Sequence, residues 1–343
     1  MRIKSVAYSL PSKKVSTEEL IKEVMAKSHR HLNGDSQQLE DKMRTFFRMS
    51  GTRTRFHRAD GEKALDFAIA AGKKAIAKAG ISPNDIDLLI YAGVGRGWLE
   101  PATANLFQSE LGLKSATCFD VLDACASWIR CMSIADSFLK QGMYKRAMIL
   151  NCELNFQEYG QTEMTNVQDL DTLFSGLTIG EAATATIVED NGPTDDSVFS
   201  FKTWGEKHHL CKIPLPNISN FTPVGATSSK PMQFFTDPGE LLSFTIKKLI
   251  SHYKSLPVFK GKKFDLVIGH AVSATSTNTV AKMLGIPLES VFETHAEYGN
   301  TVSASLPLGL ALAEEAGRLK RGMNVLLVMG SAGITTAYHS FTY

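Results

Sequence analysis

The stretch ATCFDVLDACASWIRCMSIADSFLKQ, residues 116–141, changes character in its middle. Residues 116–123 form a short apolar run that reads as a buried strand, and a helix-like pattern begins at once from 125. The same alternation extends outward on both sides. DIDLLIYAGV (85–94) and RAMILNCE (146–153) read as buried strands, with helix-like stretches at 61–80 before the first and 125–141 before the second. Farther along, FDLVIGHAV (264–272), VFETH (291–295) and NVLLVMGSA (324–332) read as strands, and TTAYHSFTY as a closing one. Helix-like stretches fill 238–254, 273–284 and 303–318. Short apolar strands separated by helices predict βαβ crossovers, hence an α/β fold whose mainly parallel sheets are covered on both faces. Segments 30–60, 154–178 and 205–237 carry no decisive pattern.

The alternation repeats itself. Gly142-Met143 and Gly322-Met323 each precede a strand, 180 positions apart. Gly112 and Gly285 each precede another, 173 apart, and LLIYAG and LVIGHA start 178 apart. Three similar offsets in one order predict two similar halves, 1–195 and 196–343. The competing explanation is that unrelated α/β units share such local patterns by chance.

Composition narrows the function. With 37 Lys and Arg against 35 Asp and Glu, the formal charge is +2, far from the strongly basic balance of a general nucleic-acid binder. The mean hydropathy is −0.07 and no apolar run approaches about 18 residues, so no membrane span is expected. The start MRIKSVAYSLPSKK lacks a long apolar core of the signal-peptide kind. Five cysteines are too few and too scattered for a disulfide framework, which favours a reducing cytoplasm.

One cysteine stands apart. Cys125 lies between a strand end and a helix start, where the helix dipole and free N–H groups favour a thiolate. Cys118, Cys131, Cys152 and Cys211 read as ordinary buried thiols. His270 closes the strand FDLVIGH, at the carboxyl end where parallel sheets collect ligands. Asn300 follows a glycine in EYGNTVSAS. Taken singly, His270 fits a satisfied strand-end histidine and Asn300 a turn residue. Together with Cys125 they make a nucleophile, a base or hydrogen-bond donor, and an oxyanion donor. GSAGITT (330–336) lets backbone N–H groups approach a ligand, but lacks a phosphate-loop ending. No metal or nicotinamide motif is present, so no cofactor is expected.

These motifs resemble the thiolase superfamily, in its ketoacyl synthase III-like branch. The likeness spans the chain through DVLDACASW, LTIGEAATATIVED, HAVS (270–273), YGNTVSASLPL and GSAGITT. It implies a duplicated five-layer αβαβα fold with two mixed, mainly parallel sheets, and an intimate homodimer. It implies Cys125 as acyl-accepting nucleophile, His270 and Asn300 as holders of the second thioester carbonyl, and the N–H groups of Cys125 and Gly333 as oxyanion hole. GWLEPATANLFQSELG (97–112) is further similar to a loop of OleA-type and pyrone-synthase head-to-head condensing enzymes. There a glutamate crosses the dimer to act as base, and Glu100 occupies its position. The substrates implied are acyl-CoA or acyl carrier protein, joined without decarboxylation to a β-ketoacyl product.

Thr45, Met49 and Leu173 stand where ordinary synthase III enzymes carry a Trp and two Arg that grip CoA. RTFFRMSGTRTRFHR instead concentrates Arg44, Arg48, Arg53, Arg55 and Arg58, and the first four are candidates for meeting a phosphate-bearing or acidic carrier. Two alternatives stay open: a malonyl-dependent ketoacyl synthase, and a non-catalytic partner in a heterodimer.

Overall fold

The computed structural model describes residues 1–192, 195–216, 221, 230–270 and 272–343. The first half comprises β1 (Arg2–Ser9), β2 (Lys13–Ser16), α1 (Thr17–Ser28), α2 (Ser36–Ser50), β3 (Thr54–His57), α3 (Ala64–Ala79), β4 (Leu88–Ala92), α4 (Thr103–Glu110) and β5 (Thr117–Val121). It continues with α5 (Ser127–Lys140), β6 (Arg146–Glu153), α6 (Phe156–Tyr159), α7 (Leu170–Leu177) and β7 (Ala182–Glu189). The second half carries β8 (Val198–Thr203), β9 (Cys211–Lys212), β10 (Phe235–Thr236), α8 (Pro238–Lys254), β11 (Leu266–Gly269), α9 (Ala274–Leu284), α10 (His295–Tyr298), α11 (Ser305–Glu315), β12 (Asn324–Ser331) and β13 (Thr335–Thr342).

The apolar-run strands β4, β6 and β12 lie in sheet interiors, while β5 and β11 lie at sheet ends. Every residue of β4 is buried, because sheet neighbours flank it and helices cover both faces. The first sheet has the order β1-β7-β6-β4-β5. Strands β4, β5 and β6 are mutually parallel, β7 is antiparallel to β6, and β1 is antiparallel to β7, so four strands share a direction and β7 alone opposes them. The second sheet has the order β11-β12-β13-β8, with β13 alone reversed. Read from its other end, it repeats the first sheet: β8, β13, β12 and β11 take the places of β1, β7, β6 and β4. The repeat glycines also match, since Gly142 (φ 69°) and Gly322 (φ 86°) both take left-handed turns before the paired strands β6 and β12.

Period-two alternation sorts the core into layers. Leu88, Ile90 and Ala92 of β4 face a central cluster with Trp128 and Met132 of α5, Leu306 and Leu310 of α11, and Leu266 and Ile268 of β11. Leu89 and Tyr91 face α3 and α4 on one outside. Val267, Leu326 and Val328 face Leu249 of α8 and Val280 of α9 on the other. The result is five layers, α3/α4, sheet, α5/α11, sheet, α8/α9. Among the described residues, no helix is long and apolar enough to cross a membrane.

One predicted strand is absent. Only Val291 of 291–295 bridges β11, at Val267, in the place β5 holds in the first half. The chain then turns, because the Glu293 carboxylate accepts the N–H groups of His295 and Ala296 and so starts α10. Strand β1 and helices α1 and α2 carried no sequence expectation.

Candidate active site

Cys125 sits in a tight turn between β5 and α5. Ala124 has φ 45°, a conformation that costs a non-glycine residue on the order of 1 kcal/mol and persists only where bonds over-determine it. Here they do. The Ser127 hydroxyl donates to the Ala124 carbonyl (2.7 Å) and accepts from Asp123 N–H (2.8 Å). From the other half, Ser331 Oγ accepts from Ala126 N–H (3.1 Å) and donates to the Asp123 carbonyl (3.2 Å). The nucleophile turn is therefore pinned by the end of β12.

The thiol departs from the sequence expectation. Burial pushes its pKa well above the ordinary 9.0, and Cys211 and the carboxylate of Glu153 push the same way. The backbone N–H groups of Ala332 and Cys125 oppose them without winning. Desolvation of an anion outweighs the pull of a helix start two residues away, so the resting group is a thiol.

His270 follows β11 and donates its N–H to the Val328 carbonyl (2.8 Å). Its Nδ1 lies 2.7 Å from Ser305 Oγ, and that hydroxyl donates to the Val302 carbonyl (2.8 Å). With the hydroxyl proton so used, Nδ1 carries the imidazole hydrogen and Nε2 the lone pair. Nε2 is buried and has no partner among the described residues. Burial, aided by His295, lowers the imidazole pKa to about 3, so it is neutral at physiological pH. Ala271, next in HAVS, lies outside the described residues.

Asn300 is placed by a close approach of the two halves. Its N–H donates to the Thr178 carbonyl (2.8 Å), and its carbonyl accepts from Gly180 N–H (3.1 Å). A Cβ on Gly299 would come within 2.5 Å of the Thr178 carbonyl oxygen, so only glycine permits this contact. Val302 N–H binds Asn300 Oδ1 (3.0 Å), which leaves Nδ2 as the free donor of the amide.

Cys125, His270 and Asn300 line one cavity of about 750 Å³, whose wall is otherwise mostly apolar. A fourth polar residue there, Glu153, escaped the sequence reading. It ends β6, accepts the N–H groups of Val94 (3.1 Å) and Gly95 (3.0 Å), and takes a hydrogen bond from Ser303. Its pKa is raised by burial, against the pull of those donors. The only sequence signal for it is a carboxylate at the carboxyl end of a parallel strand.

Other expected residues lie elsewhere. Gly333 does not line the cavity; the neighbouring Ala332 does, with its N–H on the Cys125 sulfur. Glu100 is exposed on the loop between β4 and α4 and does not line the cavity of its own subunit. Two of the four candidate arginines are paired with acidic neighbours. Arg44 pairs with Glu18 (2.6 Å) and Glu40 (2.8 Å), and Arg53 with Glu297 (2.6 Å). Arg55 is fully buried, its guanidinium against the Phe47 ring at 5.1 Å. Arg48 is exposed, on a shallow surface cleft that Arg44 and Arg53 also line.

A half-buried cysteine and a buried histidine, brought to one cavity from two equivalent sheets, fit the condensing enzymes of the thiolase superfamily, which are acyltransferases. Two family models match the chain: 3-oxoacyl-[acyl-carrier-protein] synthase III over residues 119–205, and its C-terminal part over 259–342. The β-ketoacyl-[acyl-carrier-protein] synthase III of Clostridium perfringens is 30% identical over 286 residues, covering 80% of this chain and 83% of that one. The chain belongs to this synthase III family. Two solved structures share its fold: OleA of Xanthomonas campestris (TM-score 0.83, 23% identity, 99% and 98% of the two chains) and the synthase III of Aquifex aeolicus (TM-score 0.81, 24% identity, 100% and 99%).

Proposed function

We propose that the protein joins two acyl thioesters by non-decarboxylative Claisen condensation, through an acyl-Cys125 intermediate. His270 Nε2 takes the Cys125 proton, which the buried thiol does not release unaided. The thiolate attacks the first thioester, and the tetrahedral oxyanion is held by the N–H groups of Cys125 and Ala332. The carrier thiolate departs and regains the proton from His270.

The second thioester carbonyl accepts from Asn300 Nδ2. His270 joins it in the tautomer with hydrogen on Nε2, reached when water delivers a proton to Nε2 and removes the one on Nδ1, after which the Ser305 hydroxyl turns from Val302 to donate to Nδ1. Glu100 of a second copy removes an α-proton, the enolate attacks acyl-Cys125, and the Cys125 thiolate leaves from a β-ketoacyl thioester. Acyl-CoA and acyl carrier protein are the proposed substrates, and the cytoplasm the location. Arg48 at the surface cleft is the arginine best placed to meet a carrier phosphate; Arg44, Arg53 and Arg55 support that cleft. The two halves divide at 195/196.

Glu100 carries this reading. It stands exposed beside Trp98 and Leu99, and the loop holding it leads into α4, whose first N–H groups bind Asp120 of β5. Strand β5 pairs only with β4 among the described residues, so it is an open sheet edge that a second copy fits. OleA, similar in fold, was solved with lauric acid and lauroyl-CoA bound. The test is Glu100→Ala: Cys125 acylates as before, and β-keto product from two acyl-CoA molecules disappears. Unchanged condensation would remove the glutamate from the mechanism. A second reading, a malonyl-dependent synthase, is favoured by the synthase III relatives; carbon dioxide released from malonyl carrier protein distinguishes it.

A further inference from the structure

Glu153 is gripped from two sides. On one, its carboxylate accepts the N–H groups of Val94 and Gly95, at the root of the loop that carries Glu100. On the other, it accepts from Ser303 Oγ, across the boundary between the two halves. Gly93 makes this approach possible. Its φ of 143° suits glycine, and a Cβ there would meet the Glu153 carboxylate at 2.6 Å and Ser303 Oγ at 3.2 Å. Ser303 Oγ also accepts from Asn151 Nδ2 (2.9 Å), so both its donor and its acceptor role are fixed. Asn151, Glu153 and Ser303 are all buried, where a lost partner is not replaced by water.

Ser303 adjoins a strained residue. Val302 has φ 51°, in the left-handed region that a β-branched side chain rarely enters. Such a conformation persists only where neighbours over-determine it. Both polar groups of Val302 serve the site. Its N–H holds Asn300 Oδ1 (3.0 Å), and its carbonyl takes the Ser305 hydroxyl (2.8 Å) that sets the His270 tautomer. One residue of backbone thus aims the two side chains that meet the second thioester carbonyl. Without the Ser303 bond to Glu153, Val302 can relax to negative φ, and its N–H and carbonyl then swing off both.

We propose that Glu153 is a positioning residue for condensation: through Ser303 it locks the Val302 turn that aims Asn300 and His270, and through Val94 and Gly95 it seats the root of the Glu100 loop. This deepens the thioester reading above and rests on it. No contact between Glu153 and substrate is required.

The experiment is Ser303→Ala, which removes the hydroxyl and leaves Glu153 its two backbone donors. The ¹⁵N spectrum of His270 reads the turn with no substrate present. The wild type shows one Nδ1–H tautomer, and the variant a mixture. With octanoyl-CoA, β-keto product formed from acylated Cys125 falls roughly 10- to 100-fold. Far-UV circular dichroism checks the fold. If the alanine variant does not fold, Ser303→Cys, close in volume and a weak donor, takes its place with the same two expected changes. An unchanged tautomer, or an unchanged rate of product formation, overturns the inference even where the urea midpoint falls, because the contact is then structural only. A wild type whose Cys125 takes no acyl group overturns the thioester reading instead, and the ¹⁵N spectra still decide whether Ser303 and Glu153 hold the turn.

Discussion

His270 Nδ1 and Ser305 Oγ stand 2.7 Å apart, and that contact decides which imidazole nitrogen faces the cavity. Ser305→Ala removes it and leaves the ring without its orienting partner. Acylation of Cys125 should slow by roughly 10- to 100-fold. The ¹⁵N spectrum of His270 should shift from a single Nδ1–H tautomer to a mixture. An unaltered spectrum with slower acylation would show that Ser305 acts otherwise.

The raised pKa of Cys125 predicts its chemistry toward small electrophiles. Alkylation by iodoacetamide should be slow at pH 7 and still climbing past the ordinary thiol value of 9.0. Cys125→Ser should abolish the modification at this site. A plateau below that pH would show a thiolate formed by the helix start after all.

Buried neutral histidines make the fold acid-sensitive. Burial lowers His270 and His339 from 6.5 to about 3, and His57 from 6.5 to about 4. Below the unfolded value, the unfolded chain binds protons that the native state refuses. Stability is therefore full above about pH 6.5 and is lost as pH falls toward the folded values. Three such groups give a slope approaching about 4 kcal/mol per pH unit once acidification passes the unfolded value. Urea midpoints at pH 7 and pH 5 measure it; equal midpoints would mean that these rings are solvated.

Much of this was legible because it is local. Strands β4, β6 and β12 announce themselves as unbroken apolar runs. Cys125, His270 and Asn300 each sit at a junction that nearest neighbours in sequence define. What stayed hidden depends on contacts across the chain. Arg44 pairs with Glu18, 26 positions away, and Arg53 with Glu297, so part of the basic cluster in sequence is neutralised in space. That Ala332 and not Gly333 lines the cavity turns on how the chain bends after β12, which residue type does not encode. The cysteine itself was plain, but its protonation state required weighing burial against a dipole, and only the packed structure supplies the burial.

Glu153 offers a test of how the site's charges couple. Its carboxylate lines the cavity with Cys125 and raises the thiol pKa. Glu153→Gln removes that charge, so Cys125 should alkylate faster at pH 8 than in wild type. The substitution also disturbs the bonds to Val94, Gly95 and Ser303, with about 1–3 kcal/mol lost from stability by urea denaturation. Faster alkylation without a change in secondary structure separates the electrostatic effect from unfolding; slower alkylation would contradict it.

The proposed path of Glu100 into a second copy can be tested without a structure of the dimer. Two inactive proteins are made, Cys125→Ala and Glu100→Ala, then mixed under conditions that exchange subunits. In a mixed dimer, one site has Cys125 and receives Glu100 from the Cys125→Ala chain, so it is complete. The other site lacks both. Random exchange puts half the dimers in the mixed form, each with one working site, so condensation should recover to about a quarter of the wild-type rate. If Glu100 acts within its own subunit, no mixed dimer has a complete site and the mixture stays inactive. Recovery that follows subunit exchange in time assigns the base to the partner.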